Sequence, residues 1–157
     1  MRDRDSTGRA RNARPRDAAG RPLPRGASGV ERVPDDLVLS PAATVAEAQR
    51  LLDHGLPFPA HDVLEAAWKA APGPERALWR ALAQLAVGLT HAQRGNARGA
   101  VALLERAGDS LARWIGPAVA GIDTAWLAAW AARLGERIDR EGLDGLRPED
   151  LRPTLQA

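Results

Sequence analysis

Between Pro74 and Gly95 the chain is apolar on almost every face that a helix can present. Leu78, Trp79, Leu82, Leu85, Ala86 and Leu89 lie too close together to share one stripe. A helix that is apolar all round is a buried one. The spacing therefore predicts a central helix from about Pro74 to Arg94, and the fold has to supply its cover. The flanking sequence does so with more helices. Thr44-x-x-Glu47 has the form of a capping box, and Val45, Ala48, Leu51 and Leu52 follow at helical spacing. Gly55 supplies a stop, with His54 as a C-terminal cap residue. A second helix is expected from about Pro59 to Ala71, with an apolar stripe of Ala60, Val63, Leu64, Ala67, Trp68 and Ala71. Pro72-Gly73-Pro74 ends it, and Pro74 suits the first turn of the central helix.

Beyond the Gly95-Asn96 break, Asn96 caps a fourth helix carrying Ala100, Leu103, Leu104, Ala107 and Leu111 towards Trp114. Gly116-Pro117 and Gly121 make the next break. Asp123 or Thr124 then caps a fifth helix, striped by Trp126, Trp130, Leu134 and Ile138. A weak turn is expected around Pro148-Glu149-Asp150, and no segment shows a strand pattern. The fold class is all-α: a compact bundle of about five helices after a disordered basic arm. The expected organisation is an arm over residues 1–40, a helical domain over 41–140 and a weakly structured tail over 141–157.

The arm follows from composition. Residues 1–32 hold nine arginines against four acids, a net +5, whereas the remainder is mildly acidic within an overall +2. Rich in Arg, Pro and Gly, it has too little apolar area to offset the entropy of ordering. Leu23, Val30 and Val33 are its possible anchor points. Clustered arginines attract phosphate, but Asp3, Asp5, Asp17 and Glu31 dilute the charge and no aromatic interleaves for base stacking. A solvated tail is the favoured reading over a nucleic-acid partner. Cysteine is absent, which removes disulfides, thiol nucleophiles and Cys-ligated zinc. No apolar leader or membrane-length apolar run is present, so a cytoplasmic protein with no membrane partner is expected.

Chemistry concentrates in the second helix. His61 and Glu65 are one turn apart, Trp68 follows, and Glu75-Arg76 lies beyond the Pro-Gly-Pro break. At about 100° per residue, His61 and Glu65 sit at the border of the buried arc beside Trp68, while Asp62 and Lys69 point further towards solvent. A half-buried imidazole–carboxylate pair against an indole is an environment that shifts pKa values. Four readings remain open: a satisfied structural pair, a polar-ligand pocket, a catalytic acid–base pair and a metal site. In a catalytic reading His61 is the acid or base, Glu65 orients it, and Arg76 holds an anionic group; the open alternative for Arg76 is a structural clamp that pairs with Glu65. A metal site needs a third ligand, for which Glu75 and His91 are the candidates. The zincin His-Glu-x-x-His pattern and the di-iron Glu-x-x-His pair are both missing, so no metal or cofactor is expected. Gln84 and His91, with Arg80, form a polar stripe on the central helix and are secondary site candidates. Walker, Gly-x-Gly-x-x-Gly and serine-elbow motifs are lacking.

Phe58-Pro59-Ala60-His61-Asp62-Val63-Leu64-Glu65-x-x-Trp68, then Glu75-Arg76, Gln84-Leu85-Ala86-Val87-Gly88-Leu89 and Arg94-Gly95-Asn96-x-x-Gly99-Ala100, resembles the bacterial and archaeal family catalogued as domain of unknown function 309. The resemblance spans about residues 45–115. It implies a small, helical, cytosolic protein, and it implies that His61, Glu65, Trp68, Glu75 and Arg76 form the family's site. It implies no activity. The family usually follows its His with Glu, where this chain has Asp62. Separately, Gly88, His91, Gly95, Ala100, Leu104 and Ala107 fall at offsets similar to a tetratricopeptide unit. One such hairpin is expected, short of the three that a solenoid needs. The function expected is a polar pocket for a small polar or anionic ligand, catalytic or not. The alternative is a non-enzymatic module that binds a protein partner, with structural motif residues.

Overall fold

The structure, a computed structural model, describes residues 39–157 together with the backbone of residues 3–4 and 10–11. Among the described residues there are five α-helices: α1 Pro41–Asp53, α2 Pro57–Ala70, α3 Gly73–Gln93, α4 Ala97–Ala112 and α5 Thr124–Glu141. A 3-10 helix at Pro148–Leu151 sits where the weak turn was expected. Two strands that no pattern announced, β1 Asp3–Arg4 and β2 Ala10–Arg11, pair antiparallel. Strands of two residues are too short to show the alternation by which strands are read. The expected disorder of the rest of the arm, with Leu23, Val30 and Val33, falls outside the described residues.

The bundle starts earlier than Thr44. Ser40 caps α1, its hydroxyl oxygen accepting the Ala43 N–H at 3.2 Å. Pro41 follows at a position where no N–H is needed. Thr44 is instead buried against the core. Glu47, released from any capping role, reaches forward and accepts from Arg50 Nε and Nη2 at 3.0 and 2.6 Å. Asn96 and Asp123 cap α4 and α5 as expected, accepting the N–H groups of Gly99 and Trp126. His54 closes α1, its backbone N–H donating to the Arg50 carbonyl and its Nδ1 lying 2.7 Å from that oxygen. Gly55 and Gly95 follow α1 and α3 with φ of +71° and +80°, a conformation that side chains resist.

The helices stack in chain order, each packed chiefly on its sequence neighbours. α3 is central, with Leu78, Trp79, Leu82, Leu85 and Leu89 almost wholly excluded from water between α2 and α4. The tetratricopeptide-like hairpin is α3–α4. Gly88 is the close approach: a Cβ there would stand 3.2 Å from Leu104 Cγ and 3.3 Å from the Leu104 backbone nitrogen. The C-terminal segment ties the ends of the stack together. Leu155 is fully buried. Its N–H donates to Gln49 Oε1 on α1 at 2.8 Å, and its carbonyl accepts from the Asp123 N–H at the start of α5 at 2.9 Å.

Candidate functional site

Pro57 and Pro59 occupy the first turn of α2, where N–H groups have no helical partner. The helix is therefore well formed by His61. Ala60, Val63 and Leu64 hold its inner face in the core. Phe58, His61, Glu65 and Trp68, at steps of three, four and three, form a half-buried stripe along its edge. His61 Nε2 stands 3.4 Å from Glu65 Oε2. The other carboxylate oxygen of Glu65 is 3.3 Å from Lys69 Nζ. Asp62, placed towards solvent by the helical wheel, brings Oδ1 to 3.6 Å from His61 Nδ1. The imidazole is thus bracketed by two carboxylates, one at each nitrogen. Its Nδ1 is sealed from solvent and has no hydrogen bond, since 3.6 Å exceeds hydrogen-bond length.

The partners from α3 and its C-terminal cap residue are guanidinium groups. Arg80 lies over the Trp68 ring at 5.7 Å from its centroid. Arg94 lies over Phe58 at the same distance, and Phe58 in turn packs on the His61 ring at 5.8 Å, tilted by 44°. These contacts set an antiparallel register in which 68 meets 80 and 58 meets 94. The seam between α2 and α3 therefore carries an imidazole–carboxylate centre with an arginine stacked on an aromatic ring towards each end. Gln84, half-buried, lies one turn from Arg80 on the same side of α3.

Other expected members are elsewhere. Glu75 sits half-buried in the first turn of α3, and Arg76 is exposed. Neither is joined by an ion pair or hydrogen bond to the α2 motif; the charged partners of Glu65 are His61 and Lys69. His91 closes the α3–α4 turn, its Nδ1 3.1 Å from Asn96 Nδ2. Asn96 Oδ1 already accepts the Gly99 N–H, so the Asn96 amide donates and His91 Nδ1 is the acceptor. Among the described residues, the His/Asp/Glu group whose ligand atoms gather within 4.8 Å is His61, Asp62 and Glu65. Neither Glu75 nor His91 belongs to it. Arg80 belongs to the polar stripe expected on the central helix, whereas Phe58 and Arg94 were not singled out for this seam. The signal available was the 58–61–65–68 stripe and the 80–84–87–91–94 stripe that faces it. Away from the seam, a cavity of about 260 Å³ is lined by Gly55, Gln93, Leu143, Leu146 and Arg152, among others. Gln93 Nε2 donates there to the Gly55 carbonyl at 2.8 Å.

The fold and the seam define an all-α bundle with a polar motif on the edge of its second helix. Residues 45–103, from α1 into α4, match the family model described as Domain of unknown function (DUF309). The resemblance noted from the motif residues is thereby borne out over that stretch. No curated protein and no solved structure matches the chain. No helix among the described residues is long and apolar enough to cross a membrane.

Proposed function

We propose that the α2–α3 seam binds a small anionic ligand, with the His61–Glu65 pair as the proton-handling group at its centre. The observation that supports this best is Arg80. Its charge lies over Trp68, it is exposed, and no carboxylate among the described residues pairs with it. The carboxylates of the motif are engaged by His61 and Lys69 instead. A guanidinium oriented by stacking and left with its donors unused suits bidentate recognition of a carboxylate or phosphate. Arg76, one turn before it on α3 and also exposed, supplies a second positive charge. Glu65 stands 3.4 Å from His61 Nε2 and orients the imidazole as an acid–base group towards a bound molecule.

The test is thermal denaturation of the full chain with inorganic phosphate and with citrate. A bound anion raises the midpoint by mass action. Arg80→Gln is expected to abolish that rise with little change in the ligand-free midpoint, and Glu65→Gln to leave the fold intact. If Glu65→Gln unfolds the domain and neither anion raises the wild-type midpoint, the motif is structural and the protein-interaction reading takes its place.

A further inference from the structure

We infer that His61 and Glu65 form the protein half of a divalent transition-metal site of the zinc class, open towards the α2–α3 seam, with Asp62 as the outer-sphere partner of the imidazole. The inference rests on reading the seam as an anion site, and where the metal is bound His61 Nε2 serves as its ligand in place of the proton-handling role.

Donor spacing is the first argument. The 3.4 Å between His61 Nε2 and Glu65 Oε2 is longer than an N–H···O hydrogen bond. Two ligands each about 2.0–2.1 Å from a tetrahedral zinc ion are about 3.3–3.4 Å apart. The pair therefore holds the span of a chelate. It does so from one unbroken helix, at positions i and i+4, so the backbone fixes both ends.

Nδ1 gives the second. A metal on Nε2 requires the proton on Nδ1, and ligating histidines hand that proton to a carboxylate or carbonyl. His61 Nδ1 is sealed from water and unpartnered, and the nearest carboxylate oxygen is Asp62 Oδ1 at 3.6 Å. A small rotation of Asp62 closes that contact, satisfies the buried atom and fixes the tautomer that ligation needs. The other two histidines lack this arrangement. His54 Nδ1 is occupied by its own helix end, and His91 Nδ1 by Asn96.

Lys69 holds the second oxygen of Glu65, which leaves Glu65 as a single-oxygen ligand. Two of four tetrahedral positions then remain for water or for an anionic group that Arg80 also contacts. One imidazole and one carboxylate suit zinc and its neighbours over magnesium or calcium, which prefer cages of oxygen.

The experiment is calorimetric titration of zinc chloride into the EDTA-stripped full chain near neutral pH, with magnesium chloride as control. A 1:1 zinc event is expected that magnesium does not reproduce. It should vanish in His61→Gln, and weaken in Asp62→Asn by about 10- to 100-fold, as outer-sphere losses do. Glu65→Gln should weaken it at least as much. Absence of a saturable 1:1 event, or an unchanged constant in Asp62→Asn and Glu65→Gln, overturns the inference, and those two variants keep the test decisive if His61→Gln misfolds. Failure here is distinguishable from failure of the anion reading: a phosphate-induced midpoint rise in the stripped protein that Arg80→Gln removes would survive the loss of the metal site.

Discussion

Arg80 and Trp68 do two jobs that a substitution can separate. The cation–π contact itself contributes about 0.5–1 kcal/mol at an exposed site. Arg80→Gln should therefore lower stability by no more than that in a urea titration while removing the response to anions entirely. Glu47 makes a second residue-scale prediction. Hydrogen bonding from Arg50, aided by its charge, holds the Glu47 carboxyl below its ordinary 4.5 despite partial desolvation. The folded state then binds fewer protons than the unfolded chain over this range. The contribution is present above pH 4.5 and is lost as the pH falls through the lowered folded value. A pair this exposed supplies about 0.3–0.5 kcal/mol. Glu47→Gln should cost that much at pH 7 and nothing well below pH 4, as read from urea midpoints at the two pH values. Asp150 is lowered in the same direction, chiefly by the Arg147 N–H that it accepts at 2.8 Å. At this scale the sequence was partly legible. The approach of His61 to Glu65 needs nothing beyond helical geometry, so it could be read. The return of Asp62 towards Nδ1 depends on side-chain rotamers, which the wheel ignores.

Glycines test how closely elements approach. Gly88→Ala gains about 1 kcal/mol of helix propensity, but its methyl group would press on the Leu104 side chain and backbone at 3.2 and 3.3 Å. Overpacking of that kind costs about 1–3 kcal/mol, so a net loss of up to about 2 kcal/mol is expected. Gly135, inside α5, is the control. A Cβ there would meet Leu104 Cβ at an ordinary 3.7 Å. Gly135→Ala should accordingly stabilise by about 0.5–1 kcal/mol. Opposite shifts in melting temperature for two mid-helix Gly→Ala changes would show that the α3–α4 approach, and not propensity, governs Gly88. The elements themselves were legible because Pro, Gly and capping residues punctuate an apolar period of 3.6. The start of α1 was misplaced because Ser40-Pro41 and Thr44-x-x-Glu47 both carry start signals. Burial of Thr44 decided between them, and burial is a tertiary fact. The choice of Arg80 over Arg76 at Trp68 was hidden for a related reason. The two arginines stand one turn apart on α3, and only the turn at 71–73 sets which of them meets α2.

A stack in which each helix packs on its chain neighbours has two free ends, and its cooperativity depends on what joins them. Here the joint is the segment after α5. Gln49 on α1 accepts the Leu155 N–H through Oε1 and donates through Nε2 to the Pro153 carbonyl at 3.0 Å. The Leu155 carbonyl takes the Asp123 N–H, and Ile122 pairs with Gln156 in an antiparallel bridge. Leu155 itself is wholly excluded from water. Little of this was legible, because Pro, polar residues and a single Leu155 give no period, and the partner on α1 lies about a hundred residues away in sequence. The consequence is that one side chain of this tail, Leu155, is expected to govern the stability of the whole bundle. Leu155→Ala removes buried methyl groups and leaves a cavity, a change that costs about 2–5 kcal/mol in a core. Gln49→Leu should cost less, since it deletes the two hydrogen bonds to the tail and one to Asp53 but leaves the Leu155 side chain seated. Urea denaturation followed by circular dichroism and by tryptophan fluorescence discriminates the outcomes. If the tail closes the stack, Leu155→Ala shifts one common transition seen by both probes. If the tail is a surface appendage, the midpoint stays within about 0.5 kcal/mol of wild type, as surface changes do.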